Sequence, residues 1–71
     1  MNIYHIHKTE RGWELRKKGA TRPSKVAATQ EQILQLTAQF LQHKYASVLV
    51  HQEDGSVQEE RRYPDSDALQ G

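Results

Sequence analysis

Apolar and polar positions divide the chain into short alternating runs on either side of one longer, helically periodic stretch. That stretch is Thr29 to Tyr45, TQEQILQLTAQFLQHKY. At about 100° per residue, Ile33, Leu34, Leu36, Ala38, Phe40 and Leu41 cover roughly half of a cylinder centred near Ile33 and Thr37. A stripe that broad suits a helix laid across a sheet rather than the narrow seam of a coiled coil. Thr29 is a favourable N-cap, and Gln32 three positions on completes the T-x-x-Q capping-box spacing. Glu31 places negative charge in the first turn, and His43 and Lys44 place positive charge in the last, as the helix dipole favours. Thr37 lies inside the apolar stripe, so its hydroxyl is expected to bond back to the Ile33 carbonyl. The opposite face, with Gln32, Gln35, Gln39 and Gln42, is polar and almost uncharged.

The flanking runs alternate with the period of strands. In residues 2–8, Tyr4 and Ile6 share a face with Lys8, and Ile3, His5 and His7 share the other; the first set is expected inward. Residues 9–12 form a polar loop. In residues 13–18, Trp13 and Leu15 are expected inward, with Trp13 against Phe40 or its neighbours, while Glu14, Arg16 and Lys18 face solvent. Pro23 cannot donate to a ladder, so residues 22–27 are expected at an edge, with Val26 in the core. Ala27 and Ala28 permit close approach just before the helix. Residues 46–52 contain the consecutive run Val48, Leu49 and Val50, the mark of an interior strand. Asp54-Gly55 is a strong hairpin signal. A two-residue turn would set Gln52 opposite Val57, and a three-residue turn with left-handed Gly55 would set His51 there. Residues 56–63 are mostly polar, as befits an exposed edge. Pro64 ends that strand, and residues 64–71 are expected to be a disordered tail.

The expectation is therefore a single α+β domain over residues 1–63. It has two layers, an antiparallel sheet of four to five strands with one helix across it, in the order β-β-β-α-β-β. Its expected core is Tyr4, Ile6, Trp13, Leu15, Val26, Ile33, Leu36, Phe40, Leu41, Val48, Val50 and Val57.

Composition narrows the function classes. At 71 residues the core is small, so self-association is a natural further source of stability. No cysteine is present, which removes disulfides and thiolate metal sites and fits a reducing cytoplasm. No secretory apolar region opens the chain, and no apolar run is long enough to span a membrane. The net charge of +1 conceals an asymmetry: residues 1–28 hold seven basic and two acidic side chains, and the remainder three and seven. Arg16, Lys17, Lys18, Arg22 and Lys25 thus form a candidate basic surface for nucleic acid. His5, His7 and His51 are candidate zinc ligands, although no carboxylate is clearly placed behind them. His51 reads either as a general base or ligand or as a structural residue, bonded to the turn backbone or packed across the hairpin; the structural role is favoured because no nucleophile or paired acid is evident near it. Phosphate-binding loops, nucleophile elbows and zinc-protease motifs are absent.

Taken together, Gly12-Trp13-x-Leu15, the Thr29-led helix with Ile33, and Val50-His51-x-x-Asp54-Gly55-x-Val57-Gln58 resemble a small bacterial domain family of unknown function. The resemblance runs over about residues 4–63 and implies a compact α+β unit with no established activity. One departure stands at Ala27-Ala28, where the family pattern leads one to expect a bulkier residue. Residues 12–41 are also similar in architecture to the sheet-type DNA-binding domain of some phage integrases. That likeness implies contacts from the outer sheet face near Arg16 and Lys18. The expected function is a non-enzymatic interaction module, without cofactor, that binds a protein partner or a second copy of itself. Nucleic-acid binding is the alternative, and a histidine metal site a distant third. Trp13, His51, Asp54 and Gly55 are motif residues whose role the sequence leaves open.

Overall fold

The computed structural model describes residues 2–63. The chain runs β1 (Asn2–Thr9), β2 (Gly12–Lys17), β3 (Lys25–Ala27), α1 (Gln30–Phe40), β4 (Ala46–His51) and β5 (Val57–Tyr63). The strands form one five-stranded sheet in the order β3-β2-β1-β4-β5. The α+β class, the element order and the two edge strands match the expectation from the sequence. The sheet itself is mixed rather than antiparallel, because β1 and β4 run parallel at its centre, with Asn2 opposite Ala46 and Ile6 opposite Val50. Local hairpin signals fix only neighbours in sequence, and this pair is joined through everything between them.

Helix α1 begins as its sequence dictates. The Thr29 hydroxyl accepts from the Gln32 backbone N–H at 3.1 Å, and the Gln32 side chain reaches back to accept from the Ala28 N–H at 3.2 Å. Thr37 is fully buried and donates to the Ile33 carbonyl at 2.7 Å. The helix ends at Phe40, short of the expected Tyr45, so His43 and Lys44 lie beyond its last turn. Leu41 caps it and is completely buried. Chain reversal must finish by Ala46, which is already paired with Asn2, so residues 41–45 form the turn. Lys44 folds back over the Phe40 ring at 4.5 Å, and Tyr45 is left 77% exposed.

The core lies between the helix and one sheet face: Tyr4, Ile6, Trp13, Leu15, Ile33, Leu41, Ala46, Val48, Val50 and Tyr63, with Ala27, Leu34, Leu36 and Phe40 packed at its margin. The Tyr4 ring meets Phe40 edge-on at 6.1 Å. Trp13 lies nearer the other end of the helix, in a wide recess with Ala28, Thr29 and Gln30. Two expected core residues are exposed. Val26 pairs with Glu14, whose side chain faces away from the helix, and is 50% exposed. Val57 pairs with His51 and is 54% exposed; a bulge leaves Gln58 without a ladder partner before Val50 meets Glu59. Ala46 and Tyr63, which pair across β4 and β5, are buried in their stead. The expected disordered tail lies outside the described residues. Among these, no helix is long and apolar enough to cross a membrane.

Gly12 shows why glycine precedes the tryptophan. Its φ is +129°, and a Cβ built there would stand 2.5 Å from the Ala27 carbonyl oxygen and 3.3 Å from the Ala28 Cα. The close approach expected of Ala27-Ala28 is thus made against Gly12. Gly55 has φ +93° but open space around it. Gly12→Ala should therefore cost about 3 kcal/mol, combining strain with a backbone clash. Gly55→Ala should cost about 1–2 kcal/mol from the left-handed backbone alone. Denaturant unfolding of the two variants checks the order; equal losses would refute the close-approach account.

Candidate binding face

The single helix leaves the other face of the sheet open. Strand alternation places Ile3, His5 and His7 of β1, Glu14 and Arg16 of β2, and Ser47, Leu49 and His51 of β4 on that face. Side chains there bond to one another across strands. The Gly55 carbonyl can only accept, so His51 donates to it from Nδ1 at 2.9 Å. With Nδ1 so used, the ring turns Nε2 to His5, whose Nδ1 donates to it at 2.9 Å. The two rings stack with centroids 5.1 Å apart. The parallel register makes this possible, since His5 lies beside Leu49 and its ring reaches His51 one step along the same face.

Glu14 anchors the other half of the face. The sequence pattern alone points this residue to solvent, but it is buried beneath its neighbours. His7, directly opposite in the ladder, donates from Nε2 to its Oε1 at 2.8 Å. Arg16 reaches the same oxygen from Nη2 at 2.8 Å and from Nε at 3.0 Å. Burial pushes the Glu14 carboxyl up, but the hydrogen bonds from His7 and Arg16 outweigh it and hold the group below its usual value. A sequence signal for this does exist: a carboxylate with a histidine across the hairpin and an arginine two positions on.

The motif residues of the second hairpin bond within its turn. The turn closes over three residues, with Gln52 accepting from the Gly55 N–H at 2.9 Å and donating to the Ser56 carbonyl at 2.7 Å, so His51 opposes Val57. Asp54 accepts from both the N–H and the hydroxyl of Ser56, at 2.9 and 2.7 Å. Those bonds lower its pKa. Gln30, in the first turn of α1, donates to the side chain of Gln58 at 3.3 Å and to the His51 carbonyl at 3.5 Å, tying turn to helix. Trp13 serves the core.

The five basic candidates do not share one surface. Arg16 is committed to Glu14 and the Thr21 carbonyl. Lys25 turns to the helix side, 5.5 Å from the Phe40 ring centroid. Lys17 and Lys18 line a recess of about 260 Å³ with His5, His7, Arg16 and His51, and Arg22 is exposed on the connection to β3. His5, His7 and His51 do converge, but His51 commits both ring nitrogens to protein partners. No group of three or more His, Cys, Asp or Glu among the described residues could hold a metal ion.

A one-helix mixed sheet with a self-bonded outer face is the class of domain that this geometry defines. The chain belongs to the family described as an uncharacterized protein conserved in bacteria (DUF2188), whose pattern it matches over residues 4–63. It is also similar to the uncharacterized protein YdaT of Bacillus subtilis (strain 168), at 35% identity over 54 residues, which is 76% of this chain. The chain spans about a third of the length of that relative, 36%. No solved structure matches.

The outer face predicts a pH dependence. Burial lowers the pKa of His5, followed by the charges of His51, His7 and Lys18. A lowered histidine pKa means that the unfolded chain binds the proton more readily. Stability should be full above about pH 6.5 and fall as the pH drops below that value. Melting temperatures from about pH 7.5 to 5.5 check this, and His5→Gln should flatten the slope.

Proposed function

We propose that this chain is a small non-enzymatic interaction module that binds a protein surface, a second copy of itself included, through its open sheet face. One observation carries the reading. The face away from the helix bears Ile3 and Leu49, both half-buried, at its centre, with Val26 and Val57, each at least half exposed, at its two sides. Apolar side chains spread over a flat, otherwise hydrogen-bonded surface are what a protein interface uses. The β5 edge is less suited to such contact, because Glu59, Glu60, Arg61 and Arg62 discourage strand addition there.

Nucleic-acid binding is a second reading, supported by the recess that Arg16, Lys17 and Lys18 line beside the histidines. It needs the outer face alone and does not use Lys25.

Size-exclusion with light scattering at high micromolar concentration tests self-association. A dimer that Leu49→Lys converts to a folded monomer is the expected result. A strict monomer that also fails to bind in partner screens would end the reading. Salt-dependent binding to single- or double-stranded DNA or RNA at about 50 mM salt, weakened by Lys18→Ala, tests the alternative. Arg16→Ala should weaken it too, though that change also removes a partner of Glu14.

A further inference from the structure

We propose that the recess lined by His5, His7, Arg16, Lys17, Lys18 and His51 is a binding site for a tetrahedral oxyanion, a phosphate either free or carried by a nucleic-acid strand. The inference stands apart from the protein-docking reading. It supplies the chemistry that the nucleic-acid reading requires at one phosphate.

Three observations support it. The recess is lined by cationic or protonatable residues, apart from the edge contributed by Gly19. The one carboxylate beneath it, Glu14, is already occupied, since a single oxygen takes His7 and Arg16 at 2.8 Å each. Lys18, which continues the outer-face alternation of Glu14 and Arg16 and acts on His5, is exposed and enters no ion pair among the described residues, so its charge remains available. A concave surface lined by one sign of charge raises the local concentration of the opposite ion.

The hydrogen-bond order on the face adds a donor. Because His51 Nδ1 must donate to the Gly55 carbonyl, His5 uses Nδ1 toward His51 and keeps Nε2 without a partner among the described residues. Protonating His5 puts an N–H at that position and leaves the His5–His51 bond intact. The charged and titratable groups around His5 are His7 on its own strand, Glu14, Arg16 and Lys18 on or just after β2, and His51 on β4. Their net positive field opposes the His5 proton, and a bound anion would reverse that opposition. Anion binding and His5 protonation should therefore favour each other.

Calorimetric titration of the full chain with sulfate tests this, because sulfate keeps a constant charge across the range while phosphate does not. Chloride at equal ionic strength serves as the control. Expected is saturable binding, about threefold or more tighter near pH 5.5 than near pH 7.5. His5→Gln should bind with that pH dependence lost. The double variant Lys17→Gln/Lys18→Gln changes only exposed side chains, and binding should fall about tenfold. Sulfate also stabilises proteins by exclusion, which would leave heat and melting shift the same in this double variant; that outcome overturns the site. Competition of sulfate with a single-stranded oligonucleotide separates the sources. Displacement of the strand by sulfate supports a nucleic-acid phosphate, and sulfate binding without strand binding supports the free anion and ends the nucleic-acid reading. No saturable sulfate binding at either pH overturns the proposal.

Discussion

One short helix has to cover a sheet of five strands. Eleven residues make a rod about 16 Å long, and five strands at about 4.8 Å spacing make a sheet some 19 Å wide between outer axes. Only one face can be buried under those terms, and the second must be made stable by its own side chains. Most of what distinguishes this molecule follows from that shortage. The buried side is filled with Ile6, Leu15, Ile33, Leu41, Val48 and Val50, all fully enclosed. The other side is knitted by histidines, a carboxylate and an arginine, with no hydrophobic layer to shelter it.

Those polar links have a cost and a use. Glu14 gives up hydration to lie under His7 and Arg16, and the exchange is favourable only while both partners remain. The same arrangement pairs the Glu14 carboxylate with Arg16 and His7 and leaves it making no ion pair with Lys18. A structural ion pair on β2 and an anion-attracting surface beside it are two results of one placement.

Much of the fold is legible in the sequence because it is locally encoded. The Thr29 cap, the Thr37 bond to Ile33, and the inward set Tyr4, Ile6, Trp13 and Leu15 follow from residue type and spacing. The three-residue turn with left-handed Gly55 is one of the two closures that Asp54-Gly55 allows. What cannot be read locally depends on distant partners. Residues 41–45 have no helix breaker, yet the pairing of Ala46 with Asn2 ends the helix at Phe40. Val26 and Val57 look like core residues by type, but the register of a three-residue strand and a bulge sends them outward. The candidate face is partly visible. His5, His7 and His51 stand out by residue type, and their meeting depends on the parallel pairing that no local pattern announces. Glu14 escapes the pattern because alternation reports which face a side chain takes and not what lies over it. A count of charges groups the basic residues on one surface, and the strand register sets Lys17 and Lys25 on the opposite face from Arg16.

The strand order also bears on how the molecule assembles. β2 and β3 follow β1 by successive antiparallel returns, and β4 and β5 form a second hairpin, so each group can take shape from near neighbours in sequence. The seam between β1 and β4 joins residues 44 positions apart at Asn2 and Ala46, and closing it carries the greatest loss of chain entropy. Closing that seam sets Tyr4 beside Val48 and Ile6 beside Val50 in the core. Before it, the β1 and β4 edges are unpaired and open to another molecule's strands. Exchange of the β4–β5 hairpin between two chains is the characteristic error such a layout invites.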